Sequence, residues 1–161
     1  NKFSYGRGPE TEHANPGPTL TALDAFRFRN NKEAQPSLDK AVDFLLRHWD
    51  IRHPIGPCHF GMGTLFMQVE YPFSTYNLFH YVYVLSFYRY AHKDPRFLEA
   101  LKALESRMVD GRVVVQRVNQ KIAGLSFCKK GRASVLGTKR YQEIKENLNR
   151  YKHNERLINI I

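Results

Sequence analysis

The chain contains little cysteine and tryptophan, and it has no long apolar run. Only two cysteines and one tryptophan occur among its 161 residues. Cys58 and Cys128 are too few for the framework of a disulfide-rich domain, so we predict two reduced thiols, with one disulfide as the alternative. No apolar stretch approaches the ~20 residues that cross a bilayer, and no signal peptide is visible. The sequence therefore predicts a cytoplasmic protein without a transmembrane segment.

Acidic residues are scarce in one part of the chain. Residues 111–153 hold eleven Lys and Arg against two Glu, whereas residues 1–110 hold thirteen Lys and Arg against twelve Asp and Glu. Nearly all of the net charge of +10 therefore lies in this C-terminal basic block, residues 111–153. Such a block can attract an anionic partner such as nucleic acid, or it can be an ordinary solvated face. Its candidate anion-binding residues are Lys129, Lys130, Arg132, Lys139 and Arg140.

Apolar residues recur at helical spacing in five segments. The clearest stripe is formed by Leu38, Val42, Leu45, Leu46 and Trp49. The expected helices cover about 18–29, 37–50, 74–91, 95–111 and 138–151. We expect Ser37, then Ser74 or Thr75, and then Asp94 to cap the second, third and fourth helices. The alternation at 64–69 and the run RVVVQRV at 112–118 indicate short extended pieces.

These segments predict one all-α domain of antiparallel helical hairpins. The hairpins would pair the first helix with the second and the third with the fourth. Residues 1–17 read as an irregular lead-in, residues 18–153 as the domain, and residues 154–161 as a tail. Hydrophobic residues at 42% and aromatic residues at 13% exclude a disordered chain.

The stretch YPFSTYNLFHYVYVLSFYRY at 71–90 is dense in aromatic side chains. One interpretation is a cavity wall that includes Tyr76, His80 and Tyr83 and accepts a large apolar ligand or a cation. The alternative is a buried central helix, because its apolar residues occupy nearly every face. The second interpretation is favoured.

The order of three short motifs resembles the α/α-toroid superfamily. The motifs are ALDAF at 22–26, FLLRH at 44–48, and YP at 71–72 followed by YN at 76–77. More narrowly, the chain resembles bacterial prenyltransferase and squalene-oxidase-repeat proteins, over about residues 15–151. The resemblance implies a partial toroid that binds or acts on an apolar isoprenoid-like small molecule. It also implies a concave aromatic face that contains Trp49, Tyr71, Tyr76 and His80.

The departures from that family leave the activity unassigned. The chain has no Asp-x-Asp-Asp motif of terpenoid cyclases and no Asp-x-Cys zinc pair of protein prenyltransferases. Complete toroids contain more helices than the five expected here, so the chain is either a piece of a longer protein or an open arc. Whether it is an enzyme therefore stays open, and its catalytic residues are unknown.

Metal-capable side chains cluster at His48, His53, Cys58 and His59. Their spacing matches no standard zinc finger, and adjacent Cys and His side chains seldom align as a nucleophilic pair. We therefore predict no metal site and no cofactor.

Overall fold

The computed structural model describes residues 14–29, 36–55 and 61–158, with side chains over 14–29, 38–55 and 61–150. Over these ranges it contains five α-helices: α1 (Pro16–Phe26), α2 (Pro36–Ile51), α3 (Leu78–Leu85), α4 (Pro95–Glu105) and α5 (Val135–Ile158). Single-turn 3-10 helices lie at Arg89–Ala91, Gln120–Ile122 and Ser126–Cys128. Extended pairing in the same ranges is limited to three isolated bridges, Glu70 with Arg117, Val109 with Arg112 and Val114 with Ala133. The predicted all-α fold with a short β-like segment near 112–118 is confirmed.

Helix α3 lies at the centre of the packing. It contacts α1, α4 and α5, and α2 contacts both α1 and α4. Seven of its eight side chains are buried, all except that of His80. This agrees with the expectation that a helix apolar on every face is a buried one. The predicted neighbours α1 with α2 and α3 with α4 are in contact.

The predicted starts of four helices are wrong, and α1 begins at Pro16 rather than at 18. Helix α2 already includes Pro36 and Ser37, so Ser37 is not its cap. Helix α3 begins at Leu78, because the side chain of Asn77 accepts a hydrogen bond from the His80 amide at 3.0 Å. Helix α5 begins at Val135, because Ser134 Oγ accepts from the Gly137 amide at 3.0 Å. The predicted cap Asp94 is confirmed, with its carboxylate 2.9 Å from the Arg96 amide.

Three helices end earlier than predicted, one ends later, and one predicted extended piece is a turn. Helix α1 ends at Phe26 rather than near 29, α3 at Leu85 rather than near Ala91, and α4 at Glu105 rather than at Gly111. Helix α5 continues to Ile158 rather than ending near 151. Residues 64–67 form a turn in which the Met67 amide donates to the Gly63 carbonyl at 3.1 Å. The prediction of an extended segment at 64–69 is therefore wrong.

Some predictions fall outside the described residues. These are the thiol of Cys58, the imidazole of His59, most of the lead-in, and residues 159–161 of the tail. Cys128 is a buried free thiol. Among the helices that the structure describes, none combines the length and the apolar composition of a bilayer-spanning segment.

Candidate ligand-binding groove

A groove of about 1340 Å³ lies between α1 and the segment 71–76. Helix α1 lines it from Gly17 to Phe26, and Leu38 and Ala41 of α2 contribute further apolar surface. His80 of α3 and Arg140 of α5 also line it. Apolar side chains make up most of the lining, so the groove suits a ligand with an apolar body.

The segment 71–76 is held in place by a buried carboxylate. Glu70 is fully buried, and Thr75 Oγ1 donates a hydrogen bond to its Oε2 at 2.8 Å. The Ser74 hydroxyl donates to its other oxygen. Arg117 Nε lies 3.4 Å from Oε2 and completes the set of partners. A buried carboxylate with these partners fixes the wall of the groove.

Aromatic rings stack along this wall. The ring of Phe73 lies parallel to that of His80, with centroids 4.8 Å apart and planes 11° apart. Phe73 also meets Tyr71 and Phe79 edge to face, at 5.5 and 5.0 Å. These contacts orient the imidazole and give the wall a continuous apolar surface.

A contact between a carboxylate and an imidazole lies at the groove between α1 and α3. His80 Nε2 is 3.7 Å from Asp24 Oδ2, and Arg27 Nε is 2.5 Å from Asp24 Oδ1. The proximity of His80, and then of Arg27, lowers the pKa of Asp24 below its ordinary value, against the opposing effect of burial. Asp24 is therefore an anion that faces a ring nitrogen inside a largely apolar groove.

Arg140 brings a cation to the same groove, but Glu143 already binds it. Arg140 Nη1 donates to both carboxylate oxygens of Glu143, at 2.8 and 2.9 Å. Tyr83 donates its hydroxyl to Glu143 Oε2 at 2.7 Å. Burial, and then this hydrogen bond, raises the pKa of Tyr83 to about 12. The charge of Arg140 is thus largely balanced before any ligand arrives.

The structure brings together three of the five predicted ligand-binding residues. Tyr71, Tyr76 and His80 line the groove. Tyr83 is buried in α3 and is not among the lining residues.

Trp49 is also away from the groove. Its side chain is buried, and its ring stacks on Tyr81 with centroids 5.9 Å apart. Its Nε1 donates to Glu99 Oε2 at 3.0 Å, and the guanidinium of Arg52 lies 3.7 Å from the ring centroid. Trp49 is therefore a core residue between α2 and α4.

The imidazole of His48 is used internally. Its Nδ1 lies 2.9 Å from the Tyr76 hydroxyl, and its Nε2 lies 2.9 Å from the carbonyl oxygen of His53. Both ring nitrogens are occupied, so His48 holds Tyr76 at the groove rather than offering a lone pair to a metal. Within the described parts of the chain, no group of three metal-capable side chains occurs.

The predicted anion-binding residues lie in different environments. Lys129 Nζ donates to the carbonyl oxygens of Ala123 and Gly124, at 2.9 and 3.2 Å. Arg140 lines the groove, whereas Lys130 lines a smaller cavity elsewhere on the molecule. Arg132 and Lys139 are exposed.

Several residues of the groove were not predicted as site residues. Asp24 was visible only as part of the ALDAF motif, and Phe73 only as part of the aromatic stretch. The role of Glu70 depends on Arg117, which lies 47 positions later in the chain. No spacing rule connects residues so far apart, so the sequence carried no indication of this pair.

Comparison of the chain with protein-family models, with curated proteins and with solved structures gave no match.

Proposed function

We propose that the chain is a prenyltransferase- and terpenoid-cyclase-like helical domain that binds an apolar, isoprenoid-like ligand in the groove between α1 and residues 71–76. The observation that carries the proposal is the groove of about 1340 Å³ with its mainly apolar lining. Pockets for small molecules commonly have volumes of ~300–1,000 Å³. The groove is therefore large enough for an extended hydrocarbon chain.

The polar residues of the groove suggest where the charged end of the ligand would lie. His80, Asp24 and Arg140 line the groove together with the apolar residues. A diphosphate group would meet His80 and Arg140, while its hydrocarbon chain would lie against Phe73 and α1. Because Glu143 already neutralises much of the charge of Arg140, most of the binding free energy would come from apolar burial.

The contacts between α1 and α2 and between α3 and α4 support the toroid-like part of the proposal. Paired antiparallel helices are the repeating unit that the resemblance implies. The activity stays unassigned, since the sequence holds neither the Asp-rich motif nor the zinc motif. The proposal is accordingly one of ligand binding.

Thermal unfolding in the presence of farnesyl diphosphate tests the proposal. Ligand at 100 times its dissociation constant stabilises the folded state by about 2.7 kcal/mol. For a chain of this length, that corresponds to a rise in midpoint of about 5–10 °C. Sodium diphosphate is the control for the charged group alone.

A matched pair of variants locates the binding. Ala22 lines the groove and is exposed, so Ala22→Trp fills the groove without disturbing the core. Ala123 is exposed in the basic block and does not line the groove, so Ala123→Trp is its control. We expect Ala22→Trp to abolish the rise in midpoint and Ala123→Trp to retain it. No rise in the unsubstituted protein, or equal loss in both variants, would contradict the proposal.

A second candidate function is a binding module in which the basic block engages an anionic partner such as nucleic acid. The exposed residues Lys130, Arg132 and Lys139, in a block with a balance of +9, favour it. Such binding weakens as salt rises, because phosphate contacts release counterions. An electrophoretic mobility-shift series from low to high salt tests this function. Absence of any shifted DNA or RNA at low salt would remove it.

A further inference from the structure

A second, smaller cavity of about 650 Å³ lies apart from the groove and shares no lining residue with it. Arg107, just after α4, and Lys130 contribute two cationic side chains to its lining. Gln68, Gln116 and Thr64 add amide and hydroxyl groups, and none of the lining residues is acidic. The cavity therefore combines positive charge with neutral hydrogen-bonding groups.

The guanidinium of Arg107 is poorly compensated within the protein. Its only hydrogen bond among the described residues is a long one, 3.5 Å from Nη1 to Gln116 Oε1. Its Nε is closed off from solvent and has no hydrogen-bond partner in the same part of the chain. No carboxylate that the structure describes lies within ion-pair distance of it. A partly buried cation in this condition gains most from an added anion, because buried charges are normally paired.

The frame around the cavity is fixed by hydrogen bonds. The side-chain Oε1 of Gln116 accepts from the Val69 backbone amide at 3.0 Å, and the backbone amide of Gln116 donates to the Val69 carbonyl at 2.8 Å. These two hydrogen bonds hold Gln116 beside the segment that carries Gln68. The Gly131 amide donates to the Val115 carbonyl at 2.7 Å. The turn that carries Lys130 is thereby joined to the segment that carries Gln116.

The backbone conformation at position 131, directly after Lys130, favours glycine. Its φ is +77°, in the left-handed region that glycine adopts at little cost. This turn also allows a second hydrogen bond, in which the Val115 amide donates to the Arg132 carbonyl at 3.0 Å. Lys130 is consequently presented from a fixed turn rather than from a free loop.

From these observations we infer that the cavity is a binding site for a phosphate group, free or in a small ester. The Nη atoms of Arg107 supply the forked donors that match phosphate oxygens, and Lys130 supplies a second positive charge for a dianion. The amide groups of Gln68 and Gln116 can donate further hydrogen bonds. The inference does not depend on the proposed isoprenoid ligand, because the two sites share no residue.

Isothermal titration calorimetry of the full chain at constant ionic strength tests the site. Inorganic phosphate and glycerol 3-phosphate are the two probes, and sodium chloride is the blank. We expect a dissociation constant of about 1 mM or tighter for at least one probe. The tighter probe identifies whether the natural source is free phosphate or a phosphate ester, and equal affinities mean that the phosphate group alone is recognised.

Three charge variants decide the location. We expect Arg107→Gln to weaken binding at least about tenfold and Lys130→Gln to weaken it severalfold. Lys139→Gln removes the same charge at an exposed position outside the cavity and should leave the affinity unchanged. Arg107→Lys, which keeps the charge but loses the fork, should fall between Arg107→Gln and the unsubstituted protein.

The inference fails if neither probe shows binding at a concentration of about 10 mM, ten times the expected dissociation constant of about 1 mM. It also fails if Lys139→Gln weakens binding as much as Lys130→Gln, which would indicate general charge attraction. Should Arg107→Gln not fold, the comparison of Lys130→Gln with Lys139→Gln still decides the question, because Lys130 is exposed and its replacement leaves the core intact.

Discussion

Replacement of Glu70 should destabilise the fold and loosen the groove wall together. The side chain of Glu70 is only 1% exposed, and its partners are the hydroxyls of Ser74 and Thr75 and the guanidinium of Arg117. A hydrogen bond to a charged group contributes roughly 1.5–3 kcal/mol to stability. Ser74 is exposed and Arg117 is one-third exposed, so their shares are discounted for solvent. Glu70→Ala should therefore cost about 3 kcal/mol.

Glu70→Gln keeps one acceptor oxygen at the same position, but it loses the negative charge opposite Arg117. Its expected cost is about half that of the alanine variant, roughly 1.5 kcal/mol. Urea unfolding followed by circular dichroism measures both values, and the alanine variant should lose about 9 °C in thermal midpoint. Glu146→Ala, at an exposed position of α5, is the control and should stay within about 0.5 kcal/mol of the unsubstituted protein. A cost for Glu70→Ala no larger than that of the control would refute the assignment of Glu70 as the anchor of residues 71–76.

Three further predictions concern other parts of the fold. Ile144→Ala empties a fully buried position of α5 and should cost about 2–5 kcal/mol in urea unfolding, with Glu146→Ala again as the control. Asp94→Ala removes the cap of α4 and should lower the free energy of unfolding by about 1 kcal/mol, whereas Asp94→Asn should retain most of it. For Asp24, whose pKa is lowered in the folded state, the associated stabilisation is fully present above the ordinary value of 3.8 and is lost as pH falls through the folded value. Asp24→Asn should therefore flatten the acid side of the stability curve, and an unchanged slope below pH 3.8 would contradict this.

The helices could be predicted from the sequence because their apolar spacing is local. The stripe that includes Val42, Leu45 and Trp49 is buried along α2, as the 3.6-residue period requires. Phe97, Leu101 and Leu104 are buried along α4 for the same reason. In both helices the information lies within a few turns of the chain.

The starts of α3 and α5 could not be predicted with the same rule, since several polar residues compete to be the cap. Ser74 and Thr75 look like caps, but their hydroxyls donate to the carboxylate of Glu70 instead. Thr138 lies inside α5, where its hydroxyl donates to the Ser134 carbonyl at 2.8 Å and accepts from the Val113 amide at 3.0 Å. The role of each residue depends on a hydrogen-bond partner outside the helix, Glu70 or Val113. The local sequence pattern does not indicate these partners.

The aromatic stretch contains both groove-lining residues and buried core residues. Before Leu78, residues 71–76 have an irregular backbone and carry Tyr71 and Phe73 into the groove wall. From Leu78 onwards the helical backbone distributes side chains around its axis, and Tyr81 is buried with its hydroxyl on the Leu45 carbonyl at 3.1 Å. Of the residues that the cavity interpretation named, Tyr76 and His80 line the groove, whereas Tyr83 is buried in α3 and does not.

The short bridge between Glu70 and Arg117 lies between the segments that line the groove and those that line the small cavity. Residues 62–64, 67 and 68 line the small cavity and precede the bridge, while residues 71–76 line the groove and follow it. On the partner segment, Gln116 lines the cavity and Arg117 lies 3.4 Å from the carboxylate that anchors the groove wall. Neighbouring residues on each segment therefore help to form two different cavities. The isolated bridge holds two loops together, as a longer sheet would, but with few backbone hydrogen bonds.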